Sequence, residues 1–380
     1  MNNLRLRCRS EGVENVIMKY LPLPQNIIMN QLNYQLLEQT QLYRPVIQTE
    51  ILAAGSYLPP QKVSSKDLMS EIGTELRYGM SHTWMSDSMG IYERRMVDDE
   101  VTPSELAIKA ARNALESNPD IDRDEIDAVI FCGIERDLPE PATAHIIQRK
   151  LGLSAAHTFD VANACFGFFE GVKLASSMIQ SGAVRYALVV TGEISTKMAR
   201  RVVEQLKRGV DAEQAKHLWG MLSVGDAGGA LILGPAFEAD VGFQKFSQRS
   251  ESQHSGLCHY RWRKNGDVVA HMNMAHIVAR GLKLNKSLHR EVFTELGWEQ
   301  FDWVLAHQTG QTSFEHAIAL HGVKERQFIK TFDTLGNITT ATLPVSFQRL
   351  RASGNLKRGD RISGLFAGSG LVAGQFGYIV

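Results

Sequence analysis

Short apolar runs, separated by segments of helical period, constrain this chain more than any other feature. "IDAVIFCGI" (126–134), a strand-like stretch near 157–161 and "YALVVTGE" (186–193) are apolar at consecutive rather than alternating positions. That pattern fits strands covered on both faces. Between them lie a helical segment near 142–150 and a stretch after Cys165 in which Phe168, Val172, Ala175 and Ile179 step by four, three and four. Such steps bury one helix face. The order strand, helix, strand, helix, strand implies parallel strands joined by crossover helices, hence an α/β protein.

The flanking segments extend this plan. "TEILAAGSYLPP" (49–60) reads as a strand ended by a Pro-Pro turn, followed by a helical region up to about residue 90. Thr102-Pro103-Ser104-Glu105 starts a helix that places Leu106, Ala110 and Leu115 on one side. "GGALILG" (228–234) is a further strand. The second half repeats the theme: a helix from about Ala275 to Glu295 precedes "FDWVLAHQTG" (301–310), which has Asp, then apolar residues, then polar ones where a strand should end, like "IDAVIFCGIE". A helix near 312–321, a strand near 328–333, "LGNITTATLP", another helix and two closing strands follow. The expected division is an N-terminal extension (1–48), rich in Asn, Gln and Leu and peripheral or partly disordered, a first half (49–234) and a second half (235–380).

Composition removes several function classes. Lys plus Arg and Asp plus Glu balance at 41 each, so no global field favours nucleic acid or an anionic membrane. No run of about eighteen apolar residues suggests a membrane span. Three arginines precede position 10 without an apolar segment of the secretory type, so a cytoplasmic location is expected. The four cysteines, Cys8, Cys132, Cys165 and Cys258, show no C-x-x-C pair and no metal-ligand spacing, which fits free thiols and no metal.

One of these thiols stands out. In "DVANACFGFFEG" (160–171), Cys165 lies at a strand-to-helix corner between Ala164 and Gly167. A thiol there feels the positive end of the helix dipole, which favours thiolate, and the neighbouring backbone N–H groups can stabilise an oxyanion. Cys132, inside an apolar strand, reads as core. His307 ends the run "VLAHQTG", where an imidazole can take a thiol proton. Asn337 follows Gly336 in "DTLGNITTATLP", where an amide can hold an enolate or oxyanion; taken alone, Gly-Asn is also an ordinary turn signal. "GDAGGA" (225–230) and "AGSG" (367–370) lack the spacing of a nucleotide loop and read as close backbone packing. The order Cys, His, Asn fits a papain-like hydrolase superficially, but the thiol is mid-chain and "ACFGF" lacks that signature. A duplicated α/β sheet with the thiol on an internal helix points instead to acyl transfer with carbon–carbon bond formation.

From about residue 50 to 380 the chain resembles the thiolase-fold condensing enzymes of the β-ketoacyl-acyl-carrier-protein synthase III type. "GIYERRM", "FDVANACFGF", "YALVVTGE", "GDAGGALIL", "HQTG", "LGNITTATLP" and the Gly-rich last strands occur in that family's order. The resemblance implies two duplicated βαβαβ-type halves in a five-layered αβαβα arrangement, with a catalytic triad on Cys165, His307 and Asn337. An acyl group would pass from a thioester to Cys165, with His307 and Asn337 supporting carbanion formation or binding the second thioester's carbonyl. Oxyanion amides would be the backbone N–H groups of Cys165 and Ser369. Substrates would be acyl-CoA or acyl-carrier-protein thioesters, with no bound cofactor, and the enzyme would be a homodimer.

A subtype is also implied. Glu140, in "PEPAT", replaces the bulky aromatic of typical synthase III enzymes and resembles the branch that joins two acyl-CoA molecules head to head in olefin biosynthesis, where a glutamate from the partner subunit serves as base. A carboxylate has a task there, since abstracting an α-proton is unnecessary when a malonyl group decarboxylates. Equally, Glu140 could be a solvated loop residue between two prolines. Two departures stand out: "HQTGQTS" replaces the usual "HQAN", and residues 1–48 have no counterpart. The alternatives are decarboxylative condensation with malonyl-acyl-carrier protein, as in fatty acid synthesis, and an inactive acyl-binding partner subunit, against which the retained Cys165, His307 and Asn337 count.

Overall fold

The computed structural model describes residues 48–380 except 155, 156 and 239; the expected extension and Cys8 lie outside these residues. Its strands are β1 (Thr49–Tyr57), β2 (Lys62–Ser64), β3 (Glu93–Arg95), β4 (Ile126–Phe131), β5 (His157–Asp160), β6 (Tyr186–Glu193), β7 (Ala227–Pro235), β8 (Gly242–Ser250), β9 (Cys258–Trp262), β10 (Val268–Met272), β11 (Trp303–Ala306), β12 (Arg361–Gly368) and β13 (Val372–Ile379). The helices are α1 (Ser65–Ile72), α2 (Thr74–Tyr78), α3 (Trp84–Met89), α4 (Pro103–Ser117), α5 (Thr143–Leu151), α6 (Gly167–Gln180), α7 (Thr196–Arg208), α8 (Ala212–Leu218), α9 (Met274–Leu296), α10 (Gln311–His321), α11 (Phe332–Leu335) and α12 (Thr342–Ala352).

Two larger sheets organise the chain. The first runs β1-β7-β6-β4-β5, with β4 parallel to both β5 and β6 as the crossover pattern predicts, and β7 antiparallel to both neighbours. The second runs β11-β12-β13-β8. Strand alternation assigns each face of the first sheet to a different core. Val129, Leu188, Val190 and Ile232 pack with Ala107, Ala110 and Ala111 of α4 and Ile147 of α5. Ile130, Val189 and Leu231 face the other way, into a core shared by α6, α12 and the second sheet's Phe243, Phe366 and Phe376. Across the second sheet, α9 packs Leu284 and Leu288 against Ala373, and α10 packs Phe314 and Ala317 near Val304 and Ala306. The layers are therefore helix, sheet, helix, sheet, helix.

Helix α6 belongs to the central layer, which explains its composition. Phe168, Phe169, Val172, Ala175 and Ile179 are all buried. Each of its large apolar side chains contributes roughly 1.5–3 kcal/mol by leaving water. Packed between two sheets, the helix has little freedom to shift, so its first residues form a stable platform.

Some expectations fail. The predicted strand near 328–333 is absent: only a single bridge, Val304↔Phe328, remains before α11 begins. The apolar side chains that suggested it fill a core instead, since Phe328 and Phe332 stack edge-on and tilted against Phe314. The helical region before residue 90 is three short helices, because Gly73, Gly79 and Gly90 each end one in the left-handed conformation. The β9–β10 hairpin has no expected counterpart. Among the described residues, no helix is long and apolar enough to cross a membrane.

Candidate active site

Cys165 is set on a tight corner. After β5, the Asp160 carboxylate accepts the Thr143 and Ala144 N–H groups at 2.9 Å each, tying the strand end to the start of α5. The chain then turns through Ala164 at φ 45, with the Phe166 and Gly167 N–H groups donating back to the Asn163 and Ala164 carbonyls at 3.0 Å. Ala164 and Thr339 are the only non-glycine residues with positive φ among the described residues. Strain of this kind costs about 1–3 kcal/mol per residue and persists only where surrounding structure enforces it. Gly167 starts α6 where an added Cβ would lie 2.8 Å from the Cys132 carbonyl oxygen, so no side chain fits at that crossing. Cys132 itself is core, as expected.

His307 follows the last residue of β11, and its N–H donates to the Leu365 carbonyl of β12 at 2.9 Å. The same β12 strand brings the Gly-rich turn to the Cys165 corner: a Cβ on Gly368 would meet Phe166 N at 3.0 Å and the Asn163 oxygen at 3.4 Å. Asn337 sits in a turn made by Gly336 at φ 67. Its N–H donates to the Ser223 carbonyl at 2.8 Å and its carbonyl accepts from Gly225 at 3.1 Å, which holds the turn against "GDAGGA". Asn337 Oδ1 accepts the Thr339 N–H at 3.0 Å, while its Nδ2 donates to no protein group among the described residues. Thr339 and Thr340 link these parts: the Thr339 backbone lies beside the His307 ring, and Thr340 lies 3.6 Å from where a Gly167 Cβ would be.

Cys165, His307, Asn337 and Ser369 are each half-buried, so all four reach accessible space. The N–H groups of Cys165 and Ser369 donate to no carbonyl among the described residues, leaving both able to receive an oxyanion. Cys165, His307 and Asn337 stand out in the sequence because each lies at or after an apolar run, and Ser369 only through the family resemblance. Glu140 does not join them. It is exposed on the 133–142 loop and makes no hydrogen bond or ion pair among the described residues.

Electrostatics correct one expectation. Dipole stabilisation of a Cys165 thiolate is outweighed: although its surface is partly accessible, close packing of protein around the thiol and the nearby Glu193 carboxyl push it up to about 12. Burial pushes His307 down to about 4. The resting pair is therefore a neutral thiol and a neutral imidazole, and the imidazole is free to accept a proton. Its Nδ1 has no well-aligned partner, and Nε2 carries no hydrogen bond among the described residues.

These shifts predict how stability depends on pH. His307 at about 4 and the core residue His321 at about 3 both lie below the ordinary 6.5 because burial disfavours the cation. The unfolded chain binds these protons below about 6.5 and the folded protein does not, so their contribution is complete above that pH and is lost as pH falls through 4 and then 3. His307 contributes on the order of 3 kcal/mol and His321 on the order of 5 kcal/mol. Glu193, pushed up to about 7 by burial, acts oppositely: its contribution is present below 4.5 and is lost as pH rises through 7. Urea midpoints should fall steeply from pH 7 to pH 4, and His321→Phe should flatten that fall. A variant with an unchanged pH slope would refute this assignment.

Comparison with known proteins agrees with this geometry. Sequence profiles of 3-oxoacyl-[acyl-carrier-protein] synthase III match residues 159–252, and its C-terminal part matches 293–376. An acyl-CoA:acyl-CoA alkyltransferase of Xanthomonas campestris is 30% identical over 325 residues, covering 82% of this chain and 93% of that protein. A β-ketoacyl-[acyl-carrier-protein] synthase III of Deinococcus deserti is 27% identical over 331 residues, covering 84% and 88%. A crystal structure of a Xanthomonas campestris OleA variant superposes with a TM-score of 0.82 at 28% identity, covering 89% of this chain and all of that one. A Cys-to-Ser variant of OleA, solved with bound lauric acid and lauroyl-CoA, gives 0.82 at 27% identity, covering 88% of this chain and all of that one. In OleA the substituted Cys and His stand 142 residues apart, as Cys165 and His307 do, and a substituted Glu precedes that Cys by 26 residues, where Glu140 precedes Cys165 by 25. The fold and site thus define a thiolase-fold condensing acyltransferase. This chain belongs to the 3-oxoacyl-[acyl-carrier-protein] synthase III family.

Proposed function

We propose that the protein joins two acyl-CoA molecules by non-decarboxylative Claisen condensation, as a homodimer in which Glu140 of one chain serves Cys165 of the other. The observation that carries this reading is that Glu140 is exposed and makes no hydrogen bond or ion pair among the described residues of its own chain, which leaves its carboxylate free to serve a partner's site. Glu140 is exposed on a loop beside β5, which lies at the edge of its sheet and pairs only with β4. The alkyltransferase name of the Xanthomonas relative, and the near-equal spacing of a substituted Glu in OleA, support the same reading.

In the first half-reaction His307 Nε2 takes the thiol proton as Cys165 Sγ attacks the acyl-CoA carbonyl. The backbone N–H groups of Cys165 and Ser369 stabilise the tetrahedral oxyanion. Collapse breaks the carbon–sulfur bond to CoA, and the imidazolium returns its proton to the departing CoA thiolate. In the second, the Glu140 carboxylate removes an α-proton from a second acyl-CoA, whose enolate oxygen accepts a hydrogen bond from the Asn337 Nδ2. The enolate carbon attacks the acyl-Cys165 carbonyl, and collapse releases a 3-oxoacyl-CoA and the Cys165 thiolate, which regains a proton from Glu140.

A malonyl extender would need no base, which separates the two condensation chemistries. Acylated enzyme given a second acyl-CoA should yield 3-oxoacyl-CoA without CO₂. Product formed only from malonyl-acyl-carrier protein, with CO₂ released in equal amount, would establish the decarboxylative reaction instead.

A further inference from the structure

Glu193 ends β6 with only 1% of its surface exposed, and among the described residues it forms no ion pair. Its Oε1 accepts the Ile134 N–H at 3.2 Å and the Thr340 hydroxyl. Thr340 has then used its only proton, so the Thr191 hydroxyl, 2.6 Å away, donates to Thr340. These donors come from separate segments. Ile134 opens the loop that carries Glu140, Thr340 closes the turn that carries Asn337, and Thr191 belongs to β6. The titratable groups facing Glu193 are Cys132, Cys165, Glu135 and Tyr260, whose hydroxyl donates to Glu135 at 2.8 Å.

We propose that Glu193 is a positioning residue for the condensation step, holding the 337–340 turn and the 133–142 loop at a fixed spacing from Cys165 through one carboxylate oxygen. This inference rests on the condensing-enzyme reading of the site. A buried carboxylate is costly to keep and is retained only with good partners. Here both hydrogen-bond partners lead to segments that carry reacting groups. Ionised, Glu193 accepts both hydrogen bonds fully; protonated, it binds them more weakly. Because burial raises this carboxyl to about 7, the restraint changes strength near neutral pH. The ionised form also disfavours a Cys165 thiolate, which keeps the unacylated nucleophile in its thiol form.

Glu193→Gln keeps the shape and removes the charge. On the full-length protein, condensation by pre-acylated enzyme should fall on the order of 10²-fold, as expected for misplaced reacting groups. Acylation of Cys165 by acyl-CoA should stay within about threefold, and the step near pH 7 in the wild-type condensation profile should disappear. Glu193→Asp, which keeps the charge, should restore that step in part. Alkylation of Cys165 by iodoacetamide at pH 8.5 should be several-fold faster in the Gln variant at unchanged Tm, because thiolate forms more readily. Wild-type rates and pH profile in Glu193→Gln, or equal losses of acylation and condensation with a lowered Tm, would overturn the proposal. The alkylation measurement needs no acyl substrate. Absence of acylation in the wild type would therefore defeat the functional reading, whereas unchanged alkylation in the Gln variant would defeat this inference separately.

Discussion

Cys165→Ala is expected to remove covalent acylation completely and to lower turnover by a factor on the order of 10⁴ to 10⁶, the range seen when a covalent nucleophile is deleted. Intact-mass measurement after mixing with acyl-CoA gives the direct reading: an acyl mass increment on the wild type and none on the variant. The fold should survive, because Cys165 is half-buried, whereas the corner is held by Gly167, Phe166 and Phe168. A Tm within a few degrees of wild type would confirm that the loss is chemical. Acylation persisting at another residue would refute the nucleophile assignment, and Cys258 is the thiol to examine, since it lies close enough to influence Cys165.

The second large effect concerns Glu140. Glu140→Ala should leave Cys165 acylation intact and reduce condensation on the order of 10²- to 10⁴-fold, the usual contribution of a positioned base. Because the proposed base comes from the partner chain, the decisive measurement mixes two inactive proteins. Glu140→Ala and Cys165→Ala chains, unfolded together and refolded, should form mixed dimers in which one of the two sites has both a thiol and a carboxylate. Condensation should return to a sizeable fraction of wild type, up to about half per mixed dimer. No recovery, alongside dimers shown to have exchanged, would place the base within the same chain, or remove the need for one.

Much of the fold was legible because fully buried strands and a fully buried helix have distinctive sequences. "IDAVIFCGI" and "YALVVTGE" are apolar on both faces because α4 and α5 cover one side of the first sheet and α6 and α12 the other. Between 328 and 335 the same reasoning failed. Apolar residues there do not distinguish a strand from a short helix that packs its phenylalanines on Phe314.

At the candidate site, the sequence singled out Cys165, His307 and Asn337, since a reactive residue at the end of an apolar run stands out. It did not single out Glu193, the basis of the positioning proposal, although a carboxylate closing the fully buried "YALVVTGE" was the available signal. It also misjudged the thiol. Proximity to a helix start is a local property and suggested a thiolate, but desolvation depends on everything packed around the sulfur.

By itself, then, the sequence determined the α/β class and the parallel strands of the first sheet and nominated the candidate site residues, because periodicity and residue type are local. Only the tertiary structure decided that the Thr339–Thr340 segment lies beside His307, Asn337 and the start of α6, that burial opposes charge on both Cys165 and His307, and that Glu140 is exposed. These properties depend on contacts between residues more than a hundred positions apart and on the exclusion of water, which no local pattern encodes.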